Sequence, residues 1–124
     1  PLGGTWRWMA PEIISRRTAV AAPSADIFSF GRLVFLVITG LQPLQSMDCG
    51  SIKQIAMQGG VPQIIWPSLT SDDHQEAAVH AKARQMSDMC MQFDKNQRPC
   101  MAVIHAELAN CIPESVSLST KPST

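Results

Sequence analysis

The sequence predicts an all-α fold. Three observations carry that expectation: a run from Asp26 to Ile38 that is apolar on nearly every face, Pro, Gly and Asp residues placed where helices start and stop, and no convincing strand pattern anywhere along the chain.

Taken in order, residues 1–10 contain Gly3, Gly4 and two tryptophans and read as an ordered loop. Pro11 then opens a short helix, because a proline in the first turn lacks only an N–H that would go unsatisfied there, and Glu12 favours the positive helix end. Ser24 offers an N-cap for the next helix, which runs to Thr39 and is stopped by Gly40, with Pro43 beyond. With so few polar faces it is expected to be the buried axis of the molecule, Leu33, Val34, Val37 and Ile38 included. A shorter helix fits Asp48 to Gln58, ending at Gly59-Gly60, and the Pro-interrupted stretch from Val61 to Pro67 is a surface loop. Thr70-Ser71-Asp72-Asp73 and Glu76 supply capping chemistry for a long helix with Met86, Met89, Cys90 and Phe93 on one stripe, a pattern that is core far more often than a cofactor box. After the polar turn Asp94-Lys95-Asn96-Gln97, Pro99 opens a last helix with Met101, Ile104, Leu108 and Cys111 facing inward, and Pro113 ends it. Rich in Ser, Thr and Pro without apolar periodicity, residues 113–124 are expected to be a disordered tail, leaving 1–112 as the folded part.

Composition narrows the function classes. At 124 residues the chain fits one domain or part of one, and 45% hydrophobic residues are too many for a disordered chain. Ten basic residues balance ten acidic ones and are scattered apart from Arg16-Arg17, so no footprint for nucleic acid exists. Cys49, Cys90, Cys100 and Cys111, with His74, His80 and His105, show no zinc-site spacing. Cys90 and Cys111 fall on apolar helical faces, where free thiols suit a reducing compartment, and the expected location is cytoplasmic. The window from Ala19 to Ile38 holds Asp26 and Arg32, each costing about 2.5–3.5 kcal/mol near a bilayer centre, so a buried helix is expected rather than a membrane span. Without an initiator Met, the chain reads as an excerpt.

Gly4-Thr5-Trp6-Arg7-Trp8-Met9-Ala10-Pro11-Glu12 resembles the end of a protein-kinase activation segment, which closes in Ala-Pro-Glu. Ser24-Ala25-Asp26-Ile27-Phe28-Ser29-Phe30-Gly31 is similar to the start of that family's central helix, and Thr39-Gly40-Leu41-Gln42-Pro43-Leu44 to the stretch that follows it. Cys90 through Arg98-Pro99 resembles the Cys-Trp-x-x-Asp-Pro-x-x-Arg-Pro ahead of the last helix. Singly, each motif is a helix start or a piece of buried helix; their order and spacing make the resemblance. It spans about residues 3–112, is closest in detail to the tyrosine-kinase-like group of serine/threonine kinases, and implies the helical C-terminal lobe of the kinase-like fold, incomplete here.

The resemblance also implies roles. Thr5 is the threonine that in serine/threonine kinases hydrogen-bonds the catalytic base and lysine, neither of which this chain carries. Gly4, Thr5, Trp8 and Met9 line the pocket for the substrate residue after the phosphorylated one; alternatively, Trp8 and Met9 simply pack on the lobe. Glu12 and Arg98 form a largely buried ion pair, and Asp26 anchors the catalytic loop, or is merely a cap. Departures accompany the matches: Met91 replaces the usual Trp, Lys95 the usual Pro, Val61 the loop Arg, Leu36 the acidic residue late in the central helix and Ala21 an aromatic, while Arg32 stands where an apolar residue is usual.

No Gly-rich phosphate loop, strand lysine, His-Arg-Asp or Asp-Phe-Gly motif is present, so no catalytic, cofactor-binding or metal-binding residue is expected on this chain, although the resemblance implies ATP and magnesium for a full-length domain. Two functions compete: a piece of a serine/threonine-type kinase that docks a protein substrate and partners the rest of its kinase domain, or a pseudokinase or helical remnant acting as a protein-interaction module.

Overall fold

A computed structural model describes residues 3–15, 22–68 and 72–110 of the chain. Its elements are α1 (Pro11–Ser15), α2 (Pro23–Thr39), α3 (Cys49–Met57), α4 (His74–Cys90) and α5 (Met101–Ala109), with 3-10 turns at Gly3–Arg7 and Lys95–Gln97. Among the described residues there is no strand, and the fold is all-α. None of the described helices is long and apolar enough to cross a membrane.

The central helix α2 starts two residues earlier than Ser24 capping requires. Ala22 is the extended N-cap, makes no side-chain bond, and is followed by Pro23 at the first helical position. Proline's fixed φ and missing N–H start the helix without a capping oxygen, which corrects the assignment of Ser24. At the other end Gly40 turns left-handed at φ 73° and donates its N–H to the Leu36 carbonyl at 2.7 Å, a stop that favours glycine. Thr39 completes the exit: its hydroxyl donates to the Phe35 carbonyl at 2.7 Å and accepts from the Leu41 N–H at 3.0 Å. The Thr-Gly pair therefore has a local physical reason.

α2 packs chiefly on α4, and Gly31 sets their separation. A Cβ there would stand 2.7 Å from the Met91 side chain and 3.0 Å from the Ser87 carbonyl oxygen, closer than packed atoms tolerate. The buried Ser87 hydroxyl donates to the Gly31 carbonyl at 2.7 Å and seals the contact. Around this crossing lie Ile27, Met86, Cys90 and Ile104, which bring in α5, and Lys82 bonds Glu107 at 2.6 Å beside them. A second cluster, Ile14, Leu44, Ile52 and Ala56, joins α1 to α3 beneath Trp6 and Met9. Asp48 caps α3 through the Ser51 N–H at 2.7 Å, and Asp73 caps α4 through the N–H groups of Gln75 and Glu76.

Burial is more one-sided than the apolar run implies. α2 buries Ala25, Ile27, Phe28, Gly31, Arg32 and Phe35, more than any other described helix, yet Leu33 is 46% and Val37 72% exposed while Val34 and Ile38 are half-buried. No described element covers that flank. The methionine stripe is also shorter than expected: α4 ends at Cys90, so Phe93 lies beyond it and is exposed, as are Met89 and Met101. Cys111 and the expected disordered tail lie outside the described residues.

Candidate functional site

Glu12 and Arg98 meet where the segment before α1 joins the helical base. The Arg98 Nη1 and Nη2 donate to the two Glu12 carboxylate oxygens at 2.8 and 2.7 Å, a bidentate fork. The remaining donors are used as well: Nε bonds the Gln92 carbonyl at 2.8 Å, Nη1 the Ser24 carbonyl at 2.9 Å and Nη2 the Phe93 carbonyl at 3.2 Å. All five N–H groups of the guanidinium are thereby satisfied, and its carbon lies 5.1 Å over the Phe28 ring. The Arg98 side chain is fully enclosed while that of Glu12 is 23% exposed. Burial alone would raise the Glu12 carboxyl, but the Arg98 hydrogen bonds, its own backbone and the charges of Arg98 and Lys95 outweigh that and hold it below its ordinary range. One arginine thus ties α1, the start of α2 and the turn ahead of α5 into a single corner.

That corner fixes the segment carrying the other predicted site residues. Gly4 lies in the first 3-10 turn and Thr5 in the same turn is exposed, its carbonyl accepting the Trp8 N–H at 3.1 Å. Ser29 of α2 donates its hydroxyl to the Trp8 carbonyl at 2.7 Å and pins the segment against the central helix. Met9 packs with Trp6 on the Ile14–Leu44–Ile52–Ala56 cluster, so its side chain works as packing; Trp8 is half-buried. Arg7 donates to the Leu44 carbonyl, where a leucine holds a left-handed φ of 57° with its side chain buried. Asp26, in the first turn of α2, is exposed and borders a hollow of about 350 Å³ shared with Arg98 and Cys100. Gly4, Thr5, Trp8 and Met9 therefore lie in one segment and Glu12 with Arg98 in the corner behind it, while Asp26 stands at the edge of that corner.

Two residues escaped sequence reasoning. Ser29 was legible only as part of a motif, although a hydroxyl inside an apolar helix is itself a signal of a specific partner. Arg32, a departure from the family pattern, is 1% exposed: its Nη2 donates to the Pro62 carbonyl at 2.7 Å and its guanidinium lies 4.9 Å over Phe28. Burial lowers its pKa to about 10. The arginine usual in the 60–62 loop is absent, and one on α2 reaches that loop from the other side.

No three His, Cys, Asp or Glu side chains converge among the described residues. Asp48, Asp73 and Asp94 each accept backbone N–H groups as caps. Spread over three separate helix or turn starts, these carboxylates do not fit a magnesium nucleotide.

The chain is 29% identical over 124 residues, 98% of its length, to a putative serine/threonine-protein kinase/receptor of Acanthamoeba polyphaga mimivirus. It is 29% identical over 111 residues, 90% of its length, to a serine/threonine-protein kinase of Arabidopsis thaliana, and 37% identical over 70 residues, 55% of its length, to ribosomal protein S6 kinase alpha-3 of Mus musculus. It spans only 7%, 17% and 9% of those proteins. The profile of the protein kinase domain matches residues 2–108, covering the corner, the segment it holds and four of the five helices in full, and the chain belongs to the protein kinase domain family.

Proposed function

We propose that this chain is the substrate-docking end and rigid helical base of a serine/threonine-type kinase of the tyrosine-kinase-like group, cytoplasmic, acting with the other parts of a kinase domain that transfer phosphate from ATP. The observation that carries this reading is the five-donor Arg98 corner: it fixes the Trp6–Glu12 stretch to the base while leaving Thr5 exposed. Preorganising a short segment in this way suits docking, because the ordering entropy is spent before a peptide arrives. In this reading Gly4, Thr5 and Trp8 face the residue after the phosphorylated one, Met9 supports them from the core, and Asp26 accepts hydrogen bonds from the catalytic-loop backbone.

The test is peptide-library phosphorylation by the full-length protein. Trp8→Ala is expected to change selectivity at the position after the phosphorylated residue and to leave other positions alone. An unchanged profile, or phosphorylation of tyrosine only, contradicts the proposal. A second reading, a non-catalytic interaction module, draws on the exposed apolar flank at Leu33 and Val37. It predicts no phosphate incorporation by the full-length protein.

A further inference from the structure

A cavity of about 540 Å³ lies between α2, the 61–66 loop and the C-terminal end of α4. Its floor is Arg32, whose Nη2 bonds the Pro62 carbonyl while its buried Nε has no acceptor. Among the described residues no carboxylate comes within ion-pair reach of it. The contrast with Arg98 is informative, since that equally enclosed arginine has a bidentate carboxylate and an acceptor for every N–H. The walls are mixed. Arg84 stands with its guanidinium 5.5 Å over the Trp66 ring, Asp88 lines the same wall, and Met91 and Phe93 supply apolar surface. Trp66 is itself held edge-on against Phe35, with ring centres 4.9 Å apart. Burial raises the Asp88 carboxyl above its ordinary value, opposed by the Arg84 charge and the nearby Trp66 indole N–H, which falls outside hydrogen-bond geometry.

We propose that this cavity is a ligand site for a small organic monocarboxylate with a flat apolar body, the carboxylate on Arg32 and Arg84 and the body against Trp66, Met91 and Phe93. The volume falls within the range of small-molecule sites, roughly 300–1,000 Å³. Two cations against one aspartate leave the walls one positive charge in excess, which a monoanion neutralises, whereas a dianion such as phosphate would leave a buried negative charge uncompensated. A planar guanidinium matches a carboxylate, and Arg32 lines the cavity with its Nε–H still unpaired. The site stands apart from the Thr5–Met9 segment and is independent of the docking role.

The full 124-residue chain, labelled with nitrogen-15, tests this by titration with benzoate while the Trp66 indole N–H resonance is followed. A saturable shift with a Kd of about 1 mM or tighter is expected. Arg32→Met restores the apolar residue type usual in the family, is expected to fold, and should weaken binding by about tenfold or more. Arg84→Gln, on the surface, should weaken it several-fold with unchanged helicity. The proposal is overturned by the absence of a saturable shift, by unaltered affinity in either variant, or by inorganic phosphate moving the same resonance as strongly as benzoate.

Discussion

Replacing Glu12 by alanine removes the carboxylate from an arginine whose five N–H groups are all bonded. Loss of one partner from a fully buried ion pair costs roughly 3–5 kcal/mol, because the other charge is stranded. Here two features reduce that figure: Glu12 is 23% exposed, and Arg98 keeps the Gln92, Ser24 and Phe93 carbonyls. The expected loss is about 2–3 kcal/mol, a large share of the roughly 5–15 kcal/mol that holds a domain folded. Urea denaturation followed by far-UV circular dichroism measures it. Arg98→Lys should lose a comparable amount, since an ammonium cannot form the fork or reach the three carbonyls together. The pH dependence supplies a sign check. The Glu12 carboxyl is held below its ordinary value of 4.5, so its contribution is present above that pH and is lost as pH falls through the lowered value. The stability difference between wild type and Glu12→Gln should therefore shrink on acidification below about pH 4.5. A loss under about 1 kcal/mol for Glu12→Ala, or a difference that grows in acid, would refute the reasoning.

Three further outcomes are expected. Gly31→Ala sets a helix-propensity gain of up to about 1 kcal/mol against a clash with Ser87 and Met91 costing roughly 1–3 kcal/mol, so the variant should be less stable; a rise in its urea midpoint would mean α2 and α4 are not in close contact. Arg32→Met removes a cation whose pKa is lowered from 12.5 to about 10, an unfavourable environment on the order of 3 kcal/mol, and gives up one hydrogen bond and one ring contact; a net gain of about 1–2 kcal/mol is expected, and a clear loss in the same denaturation assay contradicts it. Iodoacetamide with peptide mapping should modify exposed Cys100 readily and spare Cys90 until denaturant is added, because Cys90 is fully buried and burial pushes its thiol up to about 11, despite the opposing charge of Arg98; rapid Cys90 modification in buffer would show that the α2–α4 core is open.

What the sequence made legible was mostly local. Asp48 and Asp73 announced their helices because a capping side chain acts within three residues, and Gly40 marked the end of α2 because only its own backbone has to turn. Ser24 misled because Pro23 starts the helix by a different device. Phe93 continues the spacing of the methionine stripe in sequence, but the helix itself stops at Cys90. Long-range features were harder to read. The apolar run of α2 does not state which flank meets α4, so Leu33 and Val37 looked buried. The partner of Arg32 is a carbonyl 30 residues away, invisible to any periodicity. Glu12 and Arg98 lie 86 residues apart and were paired only through the family resemblance, while the three carbonyls that complete the Arg98 shell carry no sequence signal.

The proposed role, docking segment and base of a kinase domain, implies that the chain by itself binds no magnesium nucleotide. Thermal denaturation of the purified chain across a titration of magnesium-ATP addresses it most directly, because a ligand that binds only the native state raises the melting temperature by mass action. A flat response and no labelled phosphate on a generic protein substrate are expected. A saturable rise in melting temperature, or phosphate incorporation by the chain alone, would contradict it.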